Sequence, residues 1–297
     1  LSKTKEGSNY LATLLNNKRA MLFFTQPSTR TFLSFQSACH LLGMKTSDIR
    51  DPNTSSEKKG ESQEDALRTF SSYVDLIIMR SPIANLCGRI AHYFNEIERP
   101  VPLINAGSGP DEHPTQALLD MYTIKRELAQ YGGLEGKTIC MVGDLKRGRT
   151  IRSLSQLLAL YKNINLLFVS PKDYQIEDDL RKFLSSCPSL TFAETDNFLE
   201  AVNQSDGIYM TRLQDEYDVA NESKNYKIED YSLTYDHLNG LKQDCIIMHP
   251  MPRKQELDPK IDFDKRAVYW KQEKNGMWIR AALIIKIFER YQEIVSL

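Results

Sequence analysis

The chain has 297 residues, 41% of them hydrophobic and 26% charged, which is enough for two domains of ordinary size and typical of a soluble globular protein. Its formal net charge of −1 gives no footing for nucleic acid or an anionic membrane surface as partner. No apolar run approaches the roughly 20 residues that a membrane span requires, and five scattered cysteines without CxxC pairs fit a reducing cytoplasm. Neither the cysteines nor the five histidines show metal-ligand spacing, so no metal and no cofactor is expected.

The chain opens at Leu1 within a helical pattern, and a natural N-terminus is expected upstream. Residues 20–25 are an apolar run that reads as a buried strand. The run leads through Gln26 and Pro27 into Ser28-Thr29-Arg30-Thr31, and a helical period follows over residues 32–38. This step from strand to helix delivers hydroxyls and a guanidinium to a helix N-terminus, where free N–H groups and the helix dipole favour an anion. Arg30 adds a fork of donors shaped for phosphate or carboxylate. The plainer alternative is a capped helix carrying a surface arginine.

Residues 54–61 form a polar segment that reads as a solvated loop, although a lysine there can close over a phosphate. Strands follow at 74–79 and 102–104, ending at Arg80 and at Asn105-Ala106-Gly107. A glycine-rich turn then gives His113-Pro114-Thr115-Gln116 and a helix over 117–124, with proline in the first turn. His113 either points its ring into a cleft and donates to an oxygen there, or caps and packs the helix. Residues 128–137, with Gly132, Gly133 and Gly136, mark the best candidate boundary between domains.

Strands in the second half are expected at 138–142, 164–169, 207–210 and 245–248. A basic loop over residues 144–150 separates the first of them from a helix over 151–161. It lacks both GxGxxG and GxxxxGK[ST], so a dinucleotide or P-loop site is not expected. Residues 275–297 read as one long helix with apolar positions at Met277, Ile279, Ala282, Ile285 and Ile287, packing back across the domain joint.

Strands alternating with helices imply an α/β fold of two domains, each a parallel sheet flanked by helices, with the active site in the interdomain cleft. The expected divisions are 1–130, 131–274 and the C-terminal helix 275–297. Ligands of open parallel sheets sit beyond the carboxyl ends of the strands. Arg30, Arg80, Arg212 and His249 all fall at such ends, so the cleft is expected to take more than one anionic group.

In order and approximate spacing, Ser28-Thr29-Arg30-Thr31, Arg80, His113-Pro114-Thr115-Gln116, residues 143–150, Arg212-Leu213-Gln214 and His249-Pro250-Met251-Pro252-Arg253 resemble the aspartate/ornithine carbamoyltransferase family. The resemblance runs from about Asn16 to the C-terminus and favours the aspartate branch. It implies that Ser28, Thr29, Arg30, Thr31 and Arg80 bind the phosphate of carbamoyl phosphate, and that Ser55 and Lys59 reach into a neighbouring subunit's site. Arg30, Thr31 and His113 would polarise the carbamoyl carbonyl. Gln116 and the Pro250 carbonyl would hold its amide nitrogen, with Met251 lining the site through its backbone. Arg149, Arg212 and Gln214, with Lys59, would bind the two carboxylates of L-aspartate.

The implied reaction gives N-carbamoyl-L-aspartate and phosphate in pyrimidine biosynthesis. The implied assembly is a cytoplasmic homotrimer with shared active sites, with regulatory chains or a dihydroorotase as candidate partners. The alternatives are a carbamoyltransferase for another amino acid and a catalytically silent structural paralogue. Two residues depart from the family pattern: Gln26 stands where an acidic residue is usual, and Tyr217 stands where a basic one is. In the family those positions form salt links that hold the domains closed.

Overall fold

A strand buried on both faces needs apolar side chains at every position, and that need explains the short unbroken apolar runs of this chain. The computed structural model describes residues 4–51, 60–97, 101–109, 112–213 and 227–295. They fall into two compact units, Leu1–Thr115 with Gly276–Leu297, and Gln116–Asn275.

The first unit contains α1 (Lys5–Thr13), β1 (Arg19–Phe24), α2 (Thr29–Leu41), β2 (Lys45–Ile49), α3 (Gln63–Phe70), β3 (Leu76–Ser81), α4 (Leu86–Glu96) and β4 (Leu103–Ser108). Its four strands are parallel in the order β2-β1-β3-β4. Strand side chains point alternately to the two faces. Ala20, Leu22 and Phe24 of β1 therefore join Leu76 and Ile78 of β3 in a core with Phe32, Phe35 and Ala38 of α2. Met21 and Phe23 turn the other way, with Ile77 and Met79, against Leu67, Leu86, Ile90 and Phe94.

The second unit runs through α5 (Pro114–Leu128), β5 (Thr138–Val142), α6 (Arg149–Leu158), β6 (Ile164–Val169), α7 (Asp178–Ser185), β7 (Leu190–Thr195), α8 (Phe198–Asn203), β8 (Gly207–Met210) and β9 (Ile246–Met248). Its five strands are again all parallel, in the order β7-β6-β5-β8-β9. Ile139 and Met141 face a core built from α5, α6 and α7, while Cys140 and Val142 face one that includes Phe198, Ala201 and Val202 of α8.

The expected strands are all present: β5, β6 and β8 have the expected bounds, and the ends of the others are shifted. β3 begins at Leu76 and continues through Ser81, and β4 extends to Ser108, so Arg80 and Gly107 lie inside strands rather than after them. Two strands have no counterpart in the apolar-run reading. β2 (Lys-Thr-Ser-Asp-Ile) and β7 (Leu-Thr-Phe-Ala-Glu-Thr) are sheet edges with much of their surface open, so they carry polar residues.

The single helix expected over 275–297 is instead α9 (Tyr269–Ile287) followed by a break and α10 (Tyr291–Val295). Glu289 adopts a left-handed conformation with φ 57°. The Arg290 N–H donates to the Ile285 carbonyl at 3.0 Å and the Glu289 N–H to Lys286 at 3.1 Å. This is a Schellman stop made without glycine. No helix of the described residues is long and apolar enough to cross a membrane.

Candidate active site

Both sheets reverse their strand order once, between β1 and β3 in the first unit and between β5 and β8 in the second. The crevice at such a reversal, beyond the carboxyl ends of the strands, is the default ligand position of an open parallel sheet.

In the first unit, Phe24 is in register with Arg80. The Arg80 carbonyl accepts the backbone N–H groups of Thr25 at 2.9 Å and Gln26 at 3.3 Å, which secures the turn leading into α2. Ser28 is the N-cap of α2 in extended conformation, and its hydroxyl makes no capping hydrogen bond. The first helical hydrogen bond runs from the Phe32 N–H to the Ser28 carbonyl at 3.2 Å, so the N–H groups of Thr29, Arg30 and Thr31 precede the helical ladder. Thr31 is buried, whereas Thr29 and Arg30 are exposed.

Arg80 is buried, and its Nη1 donates to the Ala106 carbonyl and to His113 Nε2, each at 3.2 Å. Arginine has no acceptor, so His113 Nε2 must receive this bond. The neutral ring then carries its proton on Nδ1. Space for the guanidinium depends on Gly107, at φ 134°, where a Cβ would sit 2.7 Å from Arg80 Nη1.

In the second unit, Gly143 at φ 122° lets two strand ends approach closely, since a Cβ there would lie 2.2 Å from the Thr211 carbonyl oxygen. The Thr211 N–H and hydroxyl both donate to the Val142 carbonyl at 2.8 Å. Buried Asp144 accepts from the Arg147 N–H at 3.1 Å and orders the turn into α6, whose first residue is Arg149. Arg149 and Arg212 are both half-exposed, and Arg212 Nη1 donates to the Leu213 carbonyl at 2.9 Å.

His249, expected at a strand end, turns into the protein rather than outward and is fully buried. Its Nδ1 accepts the Met251 N–H at 2.8 Å, which leaves Nε2–H to donate to Glu256 Oε1 at 2.9 Å. Burial lowers the His249 pKa despite the Glu256 carboxylate. Burial alone would raise Glu256, but the His249 and backbone donors outweigh it and hold its pKa below the ordinary value. A neutral imidazole on an ionised carboxylate satisfies both directions. The pair braces the Pro250–Met251 segment, where Met251 is held at φ 52°.

Behind these residues lies a cluster that sequence reasoning missed. The fully buried Asp120 accepts from Gln116 Nε2 at 2.9 Å and Gln272 Nε2 at 2.7 Å on Oδ1, and from the Tyr209 hydroxyl at 2.6 Å on Oδ2. Gln272 Oε1 in turn accepts the His249 N–H at 3.0 Å. One signal was present in the sequence: Asp120 falls on the same helical stripe as Ala117, Met121, Ile124 and Leu128, where a lone carboxylate is out of place. Ser55, Lys59, Gln214 and Tyr217 lie outside the described residues. Gln26 is half-exposed.

Residues 1–126 match the family described as aspartate/ornithine carbamoyltransferase, carbamoyl-P binding domain, and residues 135–287 match its Asp/Orn binding domain. The chain is similar to the aspartate carbamoyltransferase catalytic subunit of Clostridium perfringens, at 39% identity over 275 residues, 92% of this chain and 87% of that one. It is also 39% identical over 292 residues to the chloroplastic aspartate carbamoyltransferase of Arabidopsis thaliana, covering 96% of this chain and 71% of that protein. Among solved structures it resembles aspartate transcarbamoylase from Trypanosoma cruzi in complex with carbamoyl aspartate and phosphate. The TM-score is 0.82 at 34% identity, covering 94% of this chain and 86% of that one.

Proposed function

The chain belongs to the aspartate/ornithine carbamoyltransferase family, and we propose that it transfers the carbamoyl group of carbamoyl phosphate to the amine of L-aspartate. The products are N-carbamoyl-L-aspartate and phosphate. The amine attacks the carbamoyl carbon, negative charge builds on the carbonyl oxygen, the C–O bond to phosphate breaks, and the amine releases a proton. The step is redox-neutral.

The observation that carries the reading is the buried pair of Arg80 and His113 at the strand-order reversal of the first sheet. In this reading Ser28, Thr29, Arg30, Thr31 and Arg80 hold the phosphate. His113, with its proton on Nδ1, joins Arg30 and Thr31 in stabilising the oxyanion. Fixed donors aimed at developing charge are usually the largest single catalytic contribution. Gln116 and the Pro250 carbonyl receive the carbamoyl amide nitrogen, and Met251 lines the site through its backbone. Arg149, Arg212 and Gln214 take the two carboxylates of aspartate. Two substrates with several negative charges between them favour an excess of arginine. The first unit supplies the phosphate and oxyanion residues, and the second supplies Gln116, Pro250 and Met251 for the carbamoyl end together with the aspartate residues.

The active form is a homotrimer in which Ser55 and Lys59 serve a neighbour's site. It works in the cytoplasm, in pyrimidine biosynthesis, with regulatory chains or a dihydroorotase as candidate partners. The test is carbamoyl transfer from carbamoyl phosphate to a panel of amino acids that includes L-aspartate and L-ornithine. N-carbamoyl-L-aspartate should be the dominant product. A preferred amine with a cationic side chain would overturn the dicarboxylate reading, and no transfer to any amine would indicate a silent paralogue.

A further inference from the structure

We propose that Asp120 is a positioning residue, whose buried carboxylate fixes the orientation in which Gln116 offers its side-chain oxygen to the carbamoyl amide nitrogen. The inference rests on the carbamoyl phosphate reading given above.

Donors and acceptors around Asp120 match in only one arrangement. An ionised carboxylate only accepts, so each neighbour of Asp120 must present a donor to it. Gln116 satisfies this with Nε2, which leaves Oε1 to face the other way as an acceptor. Reversing the amide would set oxygen against oxygen in a buried site, at the cost of an unsatisfied polar group. A carbamoyl amide nitrogen carries N–H donors, so the side-chain oxygen is the atom it requires.

The same carboxylate acts on two other parts of the second unit. Gln272 gives Nε2 to Asp120, so its Oε1 is left to hold the His249 N–H at the start of the Pro250 segment. Tyr209 of β8 gives its hydroxyl hydrogen to Asp120. One acceptor thus sets the polarity of hydrogen bonds behind Gln116 and Pro250 and on β8. The network is buried and shared, and such networks rigidify a site when every member is satisfied.

Burial pushes the Asp120 carboxyl up to about 7, against the pull of its three donors. The titratable groups acting on it are Tyr209 from β8, which burial keeps protonated, and Glu273 from α9, which raises it further. Gln116 and Gln272 are neutral. A proton on Asp120 would remove the charge that strengthens its hold on both glutamine donors, so Gln116 would be fixed less firmly. Carbamoyl phosphate binding should therefore weaken as pH falls below about 7.

The experiment compares the parent chain with Asp120→Leu, Gln116→Ala and the double variant, measuring carbamoyl phosphate binding by calorimetry across pH and unfolding by thermal melting. Leucine has a similar shape and offers Gln116 Nε2 no acceptor, whereas asparagine would keep one, so Asp120→Leu should weaken binding about tenfold or more and remove the acid limb. The double variant should bind no worse than Gln116→Ala alone. Parent-like binding in a folded Asp120→Leu, or full additivity in the double variant, would overturn the proposal. If Asp120→Leu does not fold, Tyr209→Phe serves instead: losing that donor should move the acid limb to higher pH, and an unmoved limb would overturn the proposal. A parent chain that does not bind carbamoyl phosphate overturns this inference and the functional reading together. A parent that binds it but does not carbamoylate aspartate overturns only the choice of amine.

Discussion

Gly107→Ala tests how the first unit holds its arginine. Alanine at φ 134° would incur backbone strain of about 1–3 kcal/mol. Its Cβ would also sit 2.7 Å from Arg80 Nη1 and 3.2 Å from Cζ, where an ordinary contact is 3.4 Å or more. The obstructing atoms are the far end of a flexible side chain, so steric relief is easy: the guanidinium tip retreats by roughly 0.7 Å, the gap between 2.7 and 3.4 Å. That retreat disturbs the bonds to His113 and to the Ala106 carbonyl. A displacement of about 1 Å at a positioned group costs on the order of a hundredfold in rate.

The expected result is therefore a modest loss of stability with a fall in kcat/KM for carbamoyl phosphate of about a hundredfold. Gly133→Ala is the control. Its φ of 85° brings comparable strain, but a Cβ there meets nothing within 4 Å. Steady-state carbamoyl transfer and thermal melting of both variants separate strain from displacement. Equal activity losses in the two, or an unchanged kcat/KM for carbamoyl phosphate in Gly107→Ala, would refute the claim that Gly107 keeps room for Arg80.

Arg212→Ala should raise the KM for aspartate by about tenfold or more while carbamoyl phosphate affinity stays within about twofold, since a bidentate fork to one carboxylate is lost. Burial depresses the His249 pKa, so the unfolded chain takes up that proton first. Its contribution to stability is complete above the ordinary value of about 6.5 and is lost as pH falls toward the folded value. Urea midpoints should accordingly show a smaller acid loss between about pH 6.5 and pH 5 in His249→Gln than in the parent. Mixing inactive Lys59→Ala chains with inactive Arg30→Ala chains should restore some activity if sites are shared between subunits; no recovery in well-mixed assemblies would mean that each chain is self-sufficient.

The central strands were legible because a parallel strand covered on both faces must be apolar throughout, as in Ile77-Ile78-Met79 or Ile208-Tyr209-Met210. β2 and β7 were not, because an edge strand such as Lys45–Ile49 has the composition of a loop. The break before α10 was hidden for a different reason: its left-handed residue is Glu289, and no glycine announces it. Arg80 and Arg212 stood out in the sequence because each follows an apolar run, although Arg80 turned out to lie inside β3 rather than beyond its end. Residues behind the site could not be read in this way. Asp120, Tyr209 and Gln272 lie on α5, β8 and α9, and only the folded chain shows that they share a carboxylate. His249 follows a strand end as expected, but its inward direction has no sequence signal, since its bond to Glu256 depends on a turn seven residues on.

The first unit's main core is discontinuous in the chain. Leu11, Phe35 and Leu76 pack in one cluster with Ala281, Ile284 and Ile285. The second unit is a single uninterrupted stretch, Gln116–Asn275. During synthesis on the ribosome, the stretch made later can therefore finish folding first, while the earlier one waits with an open apolar face until Ile285 has emerged. That interval is when the first sheet is most vulnerable to misassociation, and it is the natural moment for a chaperone to act. Chains truncated after Asn275 and released should contain a protease-resistant second unit and a protease-sensitive first one. The reverse pattern would show that the C-terminal segment only decorates a core already closed.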